Sequence, residues 1–148
     1  MMARILVVDD DALFAALIRR ALEQNDHYVA AVGEVAAARE AMQGETFDAL
    51  VCDMVLPGES GLRLLREVRA TNPNLALIAI SGGMSAGRSV HVDVLQLAQS
   101  LGTDAVVKKP FDLQRFTSTV EGVILKKRHE GMISAGFVGH PPPAALTP

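Results

Sequence analysis

Five short apolar runs, each followed by a segment of helical period, leave few folds open to this chain. Ile5-Leu6-Val7-Val8 is rich in β-branched residues and runs into Asp9, Asp10 and Asp11. Such a run reads as a strand buried on both faces. Behind it, Leu13, Leu17 and Ala21 recur at i, i+4 and i+8 with Phe14 and Ile18 beside them, which predicts an amphipathic helix with Asp11 as its cap. Tyr28 to Val32 reads as a second strand, and Val35, Ala38 and Ala41 or Met42 as the apolar face of a second helix. Ala49-Leu50-Val51-Cys52 is a third strand ending at Asp53. Ser60 then opens a helix carrying Leu62, Leu65 and Val68, with Pro73 just beyond it as a stop.

Leu75 to Ile80 is the fourth strand and ends at Ser81. A polar, Gly-rich stretch from Gly82 to Ser89 comes next, then a helical face of Val90, Val94, Leu97, Ala98 and Leu101, with Gly102 as its cap. Ala105-Val106-Val107 is the fifth strand and Lys109-Pro110 a turn. Asp112 caps a last helix built on Leu113, Phe116, Val120 and Ile124. Right-handed crossovers turn this (βα)5 pattern into an α/β fold, a doubly wound five-stranded parallel sheet with helices on both faces.

Composition removes other classes. With 49% apolar residues the chain can bury a core, and 14 Lys plus Arg against 17 Asp plus Glu leave no electrostatic footprint for nucleic acid. The longest clean apolar run, Leu75 to Ile80, is far short of the roughly 20 residues a membrane helix needs, so no membrane insertion is expected. One cysteine, Cys52, and no visible signal peptide predict a reduced, cytoplasmic protein. Residues 3–127 are expected to form the domain. Residues 128–148 read as a disordered tail, since His129 to Pro148 hold four of the seven prolines and one charged residue, Glu130.

In an open α/β sheet, ligands bind outside the carboxyl ends of the strands, where strand order reverses. Strand one delivers Asp9, Asp10 and Asp11 there, strand three Asp53, strand four Ser81 and strand five Lys109. Clustered carboxylates cannot all ionise cheaply, and a divalent cation relieves them; a few hard oxygen ligands with room for water suit Mg²⁺. A carboxylate held beside Mg²⁺ can attack a phosphoryl group, with lysine and serine neutralising its oxygens. Taken singly, each residue has a plainer reading as a cap, a turn residue or solvated charge. His27, His91, His129 and His140 show no metal spacing, and Cys52 reads as a small core hydrophobe.

Together these residues resemble the response-regulator receiver domain of bacterial two-component signalling, the chemotaxis-receiver type, over about residues 3 to 127. The resemblance rests on Val7-Val8-Asp9-Asp10-Asp11, on Val51-Cys52-Asp53-Met54-Val55-Leu56-Pro57-Gly58 with Gly61, on Ile80-Ser81-Gly82, and on Ala105-Val106-Val107-Lys108-Lys109-Pro110-Phe111. It implies a flavodoxin-like strand order 2-1-3-4-5, Asp53 as phosphoacceptor, and Mg²⁺ held by Asp9, Asp10, Asp53 and the Val55 backbone carbonyl. It further implies that Ser81 and Lys109 follow the phosphoryl group, and that the Lys109-Pro110 bond is cis. The implied partners are a sensor histidine kinase or a histidine phosphotransfer protein and an unknown downstream protein; homodimer formation is left open. The chain is expected to act as a stand-alone receiver, not an enzyme beyond its own phosphorylation and dephosphorylation.

Two positions depart from the family pattern. Val106 stands where the family often has an aromatic switch, and the stretch from Ser81 to Lys109 is several residues longer than usual. These departures favour one rival, a receiver-like binding module that works without phosphorylation. A second rival is an enzyme: Asp9-x-Asp11 resembles the nucleophile motif of haloacid-dehalogenase-type phosphatases, although no Thr follows Asp11 and no acidic pair follows strand four.

Overall fold

The computed structural model describes residues 1–82, 96 and 99–134. Five strands, β1 (Arg4–Val8), β2 (Tyr28–Val32), β3 (Ala49–Asp53), β4 (Ala76–Ser81) and β5 (Ala105–Lys108), form one sheet in the order β2-β1-β3-β4-β5. Every pairing is parallel, with Leu6 opposite Ala30 and Leu50, and Cys52 opposite Ala79. Four described helices connect or follow them: α1 (Ala12–Glu23), α2 (Val35–Gly44), α3 (Gly61–Thr71) and α4 (Leu113–Ser134). Most of the helix expected near 90–101 and most of the long loop before it lie outside the described residues. Gly102 does adopt the left-handed φ of +88° expected of a cap.

Apart from the end residues Arg4, Asp53, Ser81 and Lys108, the strands are apolar because both faces are covered. Ile5, Val7, Val51, Ile78 and Ile80 face one layer, built by Ile18 and Leu22 of α1 and Phe116, Val120 and Ile124 of α4. Leu6, Val8, Leu50, Cys52 and Leu77 face the other, built by Val35 and Ala38 of α2 and Leu64, Leu65 and Val68 of α3. Burying one such aliphatic side chain contributes about 1.5–3 kcal/mol. The predicted caps are present. Asp11 accepts from the Phe14 N–H, Ser60 from the Leu62 N–H and Asp112 from the Gln114 N–H, each at 3.1 Å.

Two expectations are corrected. The predicted stripe of α1 is not its buried face: Leu13 and Leu17 are 72% and 46% exposed, while Ala15, Ile18 and Leu22 are buried. Both stripes satisfy the helical period and differ by one residue, so the sheet, not the pattern, selects between them. The last helix also continues past Lys127 to Ser134. Ion pairs hold this stretch to the amino-terminal edge of the sheet, with Lys127 Nζ 3.3 Å from Asp104 Oδ1 and the Arg128 guanidinium 3.5 Å from Asp48 Oδ2. Residues 135–148 lie outside the described part.

Candidate functional site

Strand order reverses between β1 and β3, since β2 lies to one side of β1 and β3, β4 and β5 to the other. The crevice at that switch point receives Asp9 and Asp10 from beyond β1 and Asp53 from the last position of β3. Asp9 and Asp53 are buried and Asp10 is exposed, so the cluster has an inner wall and an open lip. Beside Asp9 and Asp10 opens a cleft of about 270 Å³, walled by Ala12, Ala15, Ala31 and Gly33, whose small side chains leave it accessible.

Backbone N–H groups and Lys109 fix the two buried carboxylates. Asp9 Oδ1 accepts from the Asp11 N–H at 2.9 Å, and Asp53 Oδ1 accepts from the Val55 N–H at 2.9 Å. The second oxygens face Lys109, whose Nζ lies 3.1 Å from Asp9 Oδ2 and 3.4 Å from Asp53 Oδ2. Lys109 follows β5 directly, and its N–H donates to the Ser81 carbonyl at 2.8 Å, which locks the ends of β4 and β5 together. Ser81 is buried at the end of β4, on the same edge. The Lys109-Pro110 bond is cis, as the resemblance implied.

The charges do not balance locally. Burial pushes the Asp53 carboxyl above the usual aspartate range; the Val55 N–H opposes this, Asp9 adds to it, and Lys109 opposes it. Burial works to lower the Lys109 ammonium, but Asp53 and Asp9 together outweigh it, so Lys109 stays firmly protonated. One ligand oxygen from each of Asp9, Asp10 and Asp53 can lie within 4.8 Å of the other two. Three hard oxygen donors, one on the open lip, fit a small divalent cation with room for water and a phosphate oxygen. This cluster could therefore hold a metal ion.

Close packing sets the position of Asp53. A Cβ on Gly61 would lie 2.0 Å from the Asp53 carbonyl oxygen, so only glycine lets α3 start against the end of β3. Cys52, next to Asp53, is fully buried in the α2–α3 layer. Its thiol is pushed up by burial first and by the charges of Asp53 and Asp9, so it stays neutral and unreactive, as a core residue would. Val106 is half-buried against the same layer.

The response regulator receiver domain model matches residues 5–121, most of the chain. The chain belongs to the response regulator receiver family. Response regulator MprA of Mycobacterium ulcerans is 28% identical over 130 residues, 88% of this chain and 53% of that protein. MprA of Mycobacterium tuberculosis is also 28% identical and matches over 54% of its length. The chain thus spans about half the length of these curated relatives. Among solved structures, NtrX from Brucella abortus superposes with a TM-score of 0.80 at 26% identity, over 90% of this chain and 30% of that one. A CheY-like receiver domain protein from Methanospirillum hungatei gives 0.75 at 23% identity, over 88% and 99%, which shows the shared fold.

Membership in this family of signalling modules sets aside the haloacid-dehalogenase-type reading. No helix among the described residues is long and apolar enough to cross a membrane. The strand-end residues Asp9, Asp10, Asp53, Ser81 and Lys109 do gather at one edge. Sequence reasoning missed the ring beside them: Phe14, expected on the apolar side of α1, has its face turned to Lys109.

Proposed function

We propose that this receiver accepts a phosphoryl group on Asp53 from a histidine kinase or histidine phosphotransfer protein. An Asp53 carboxylate oxygen forms a bond to phosphorus while the phosphorus–nitrogen bond of the donor phosphohistidine breaks, and the imidazole nitrogen keeps the electron pair. Asp9, Asp10, Asp53 and the Val55 carbonyl would hold Mg²⁺, which supplies positive charge to the oxygens of the transferring group. Asp9 and Asp53 are held for this by the backbone N–H groups of Asp11 and Val55. Lys109 reaches the phosphoryl oxygens from the β5 side with its charge intact, and Ser81 supplies a hydroxyl from the end of β4.

The convergence of three carboxylates and one ammonium at the switch point carries this reading. The phosphoryl group adds a charge of about -1.5 to -2, which redirects Lys109 and Ser81 toward it and alters the surface offered to a downstream protein. With Val106 at the usual aromatic position, that change does not pass through an aromatic rotamer there. A cytoplasmic location follows from the donor class.

Incubation with acetyl phosphate and Mg²⁺ tests the assignment by intact mass. Wild type is expected to gain one phosphoryl group, and to gain none when the cation is chelated. An Asp53→Asn variant that still took up phosphate would overturn Asp53 as acceptor. Uptake indifferent to chelation would overturn the metal reading, and no uptake by wild type would overturn the acceptor reading and support the alternative of a module that signals without phosphorylation.

A further inference from the structure

Lys109 is confined on a third side by a ring. Its Nζ lies 3.9 Å from the centre of Phe14, in the first turn of α1, while Asp9 and Asp53 hold it from the sheet side. The face of a phenylalanine ring carries negative charge density and attracts a cation placed over it. The ring is itself held. It meets Phe111 edge to face, with centroids 5.5 Å apart and planes at 72°. Phe111 in turn stacks on the buried Phe116 at 4.9 Å. On the site side, the Phe14 N–H donates to Asp11 Oδ1, and the Asp11 N–H donates to Asp9 Oδ1. One short stretch of chain therefore fixes both the carboxylate that pairs with Lys109 and the ring that faces it.

We infer that Phe14 is a positioning residue for Lys109, holding the ammonium at the carboxylates before the phosphoryl group arrives. The kinetic part of this inference rests on the phosphoacceptor reading above. A lysine side chain is among the most costly to order. A cation already confined between a ring and two carboxylates has less freedom left to lose in the transition state, and it needs only a short movement to reach phosphoryl oxygens.

Phe14→Leu keeps an apolar side chain and removes the ring face. Phosphoryl uptake from acetyl phosphate is expected to slow about 2- to 30-fold, the span of a cation–π contact at half-buried sites. Phe14→Tyr keeps the face and should keep the rate. In a Lys109→Met background, Phe14→Leu should change the residual uptake no further. A second measurement needs neither metal nor phosphodonor: the Lys109 ε-methylene protons should be displaced upfield by the ring in wild type and Phe14→Tyr, and return to the ordinary lysine position in Phe14→Leu. Identical ε-methylene shifts in wild type and Phe14→Leu would overturn the inference, as would equal slowing with and without Lys109. A wild-type chain that took up no phosphoryl group would overturn the phosphoacceptor reading instead, and the methylene shifts would still decide the role of Phe14.

Discussion

The two ends of the sheet treat charge in opposite ways. At the amino-terminal end, carboxylates meet their own partners. Asp104 faces the Arg69 guanidinium at 2.9 Å and Lys127 at 3.3 Å, and it accepts from the Leu77 N–H at 2.8 Å. Glu121 meets His27 at 2.7 Å and Asn25 at 3.1 Å, and the hydrogen bond from His27 holds its carboxyl below the usual range. At the carboxyl-terminal end, three aspartates gather with two of them against one lysine, and burial pushes Asp53 up. Balanced charge fastens loops and helix ends to the sheet. Unbalanced charge is unfavourable in the free protein and, on the proposed function, becomes useful when a cation and a phosphoryl group arrive. The amino-terminal end therefore serves stability, and on the proposed function the carboxyl-terminal end gives up some stability for chemistry.

The largest effect is expected where packing, not charge, sets the active edge. Gly61→Ala would force α3 away from β3, because the new methyl carbon would sit 2.0 Å from the Asp53 carbonyl oxygen and 3.0 Å from Cys52 Sγ. A loss of about 3 kcal/mol is expected, a fall in melting temperature on the order of 10 °C, together with impaired phosphoryl uptake as Asp53 shifts. Wild-type melting and uptake in this variant would show that α3 does not press on the site. Next is Asp104→Ala, expected to cost about 2 kcal/mol in urea unfolding by orphaning the Leu77 N–H and removing the carboxylate that Arg69 and Lys127 share. Phosphoryl uptake should be unchanged. If uptake fell with stability, the two ends would not be separable.

Asp53→Asn should have the opposite sign and a smaller size. With the folded-state carboxyl raised, the folded protein keeps a proton that the unfolded chain releases. Stability is therefore lost as pH rises from the ordinary aspartate range through the folded value. In the absence of divalent cations, Asn should stabilise the protein at neutral pH and add nothing below that window. Glu121→Gln tests the other end. Its lowered carboxyl contributes stability above the ordinary glutamate range and loses it as pH falls through the folded value. Parallel unfolding profiles over pH for the two variants would erase the contrast.

Legibility in the sequence divides along the same line. The carboxyl-terminal edge was legible because a doubly covered strand is a continuous apolar run, so the residue that ends it, such as Asp53 or Ser81, is marked in one dimension. The caps at Asp11, Ser60 and Asp112 came from local motifs, and the cis Lys109-Pro110 bond from the family resemblance. The amino-terminal fastenings were not legible, since Arg69 and Asp104 sit on different elements with nothing local to pair them. The extension of α4 to Ser134 escaped for the same reason: its ion pairs to Asp104 and Asp48 are long-range, and the proline-rich, charge-poor stretch from His129 onward read as a tail. Phe14 was visible as an apolar residue, but the direction of its ring depends on how α1 is rotated against the sheet.

That rotation sets the smallest effect. Leu13 and Leu17 share one stripe of α1 and Ile18 and Leu22 the adjacent one, about 100° around the helix. Sheet packing puts Ile18 and Leu22 inside and places Phe14 at the rim, where its ring can reach Lys109. Because Leu13 and Leu17 are already largely hydrated, Leu13→Ser and Leu17→Ser should each change stability by no more than about 0.5 kcal/mol. Urea unfolding of both variants measures this directly. A loss of about 2 kcal/mol at either position would mean that the helix turns its leucines inward, and the same turn would carry Phe14 away from the lysine.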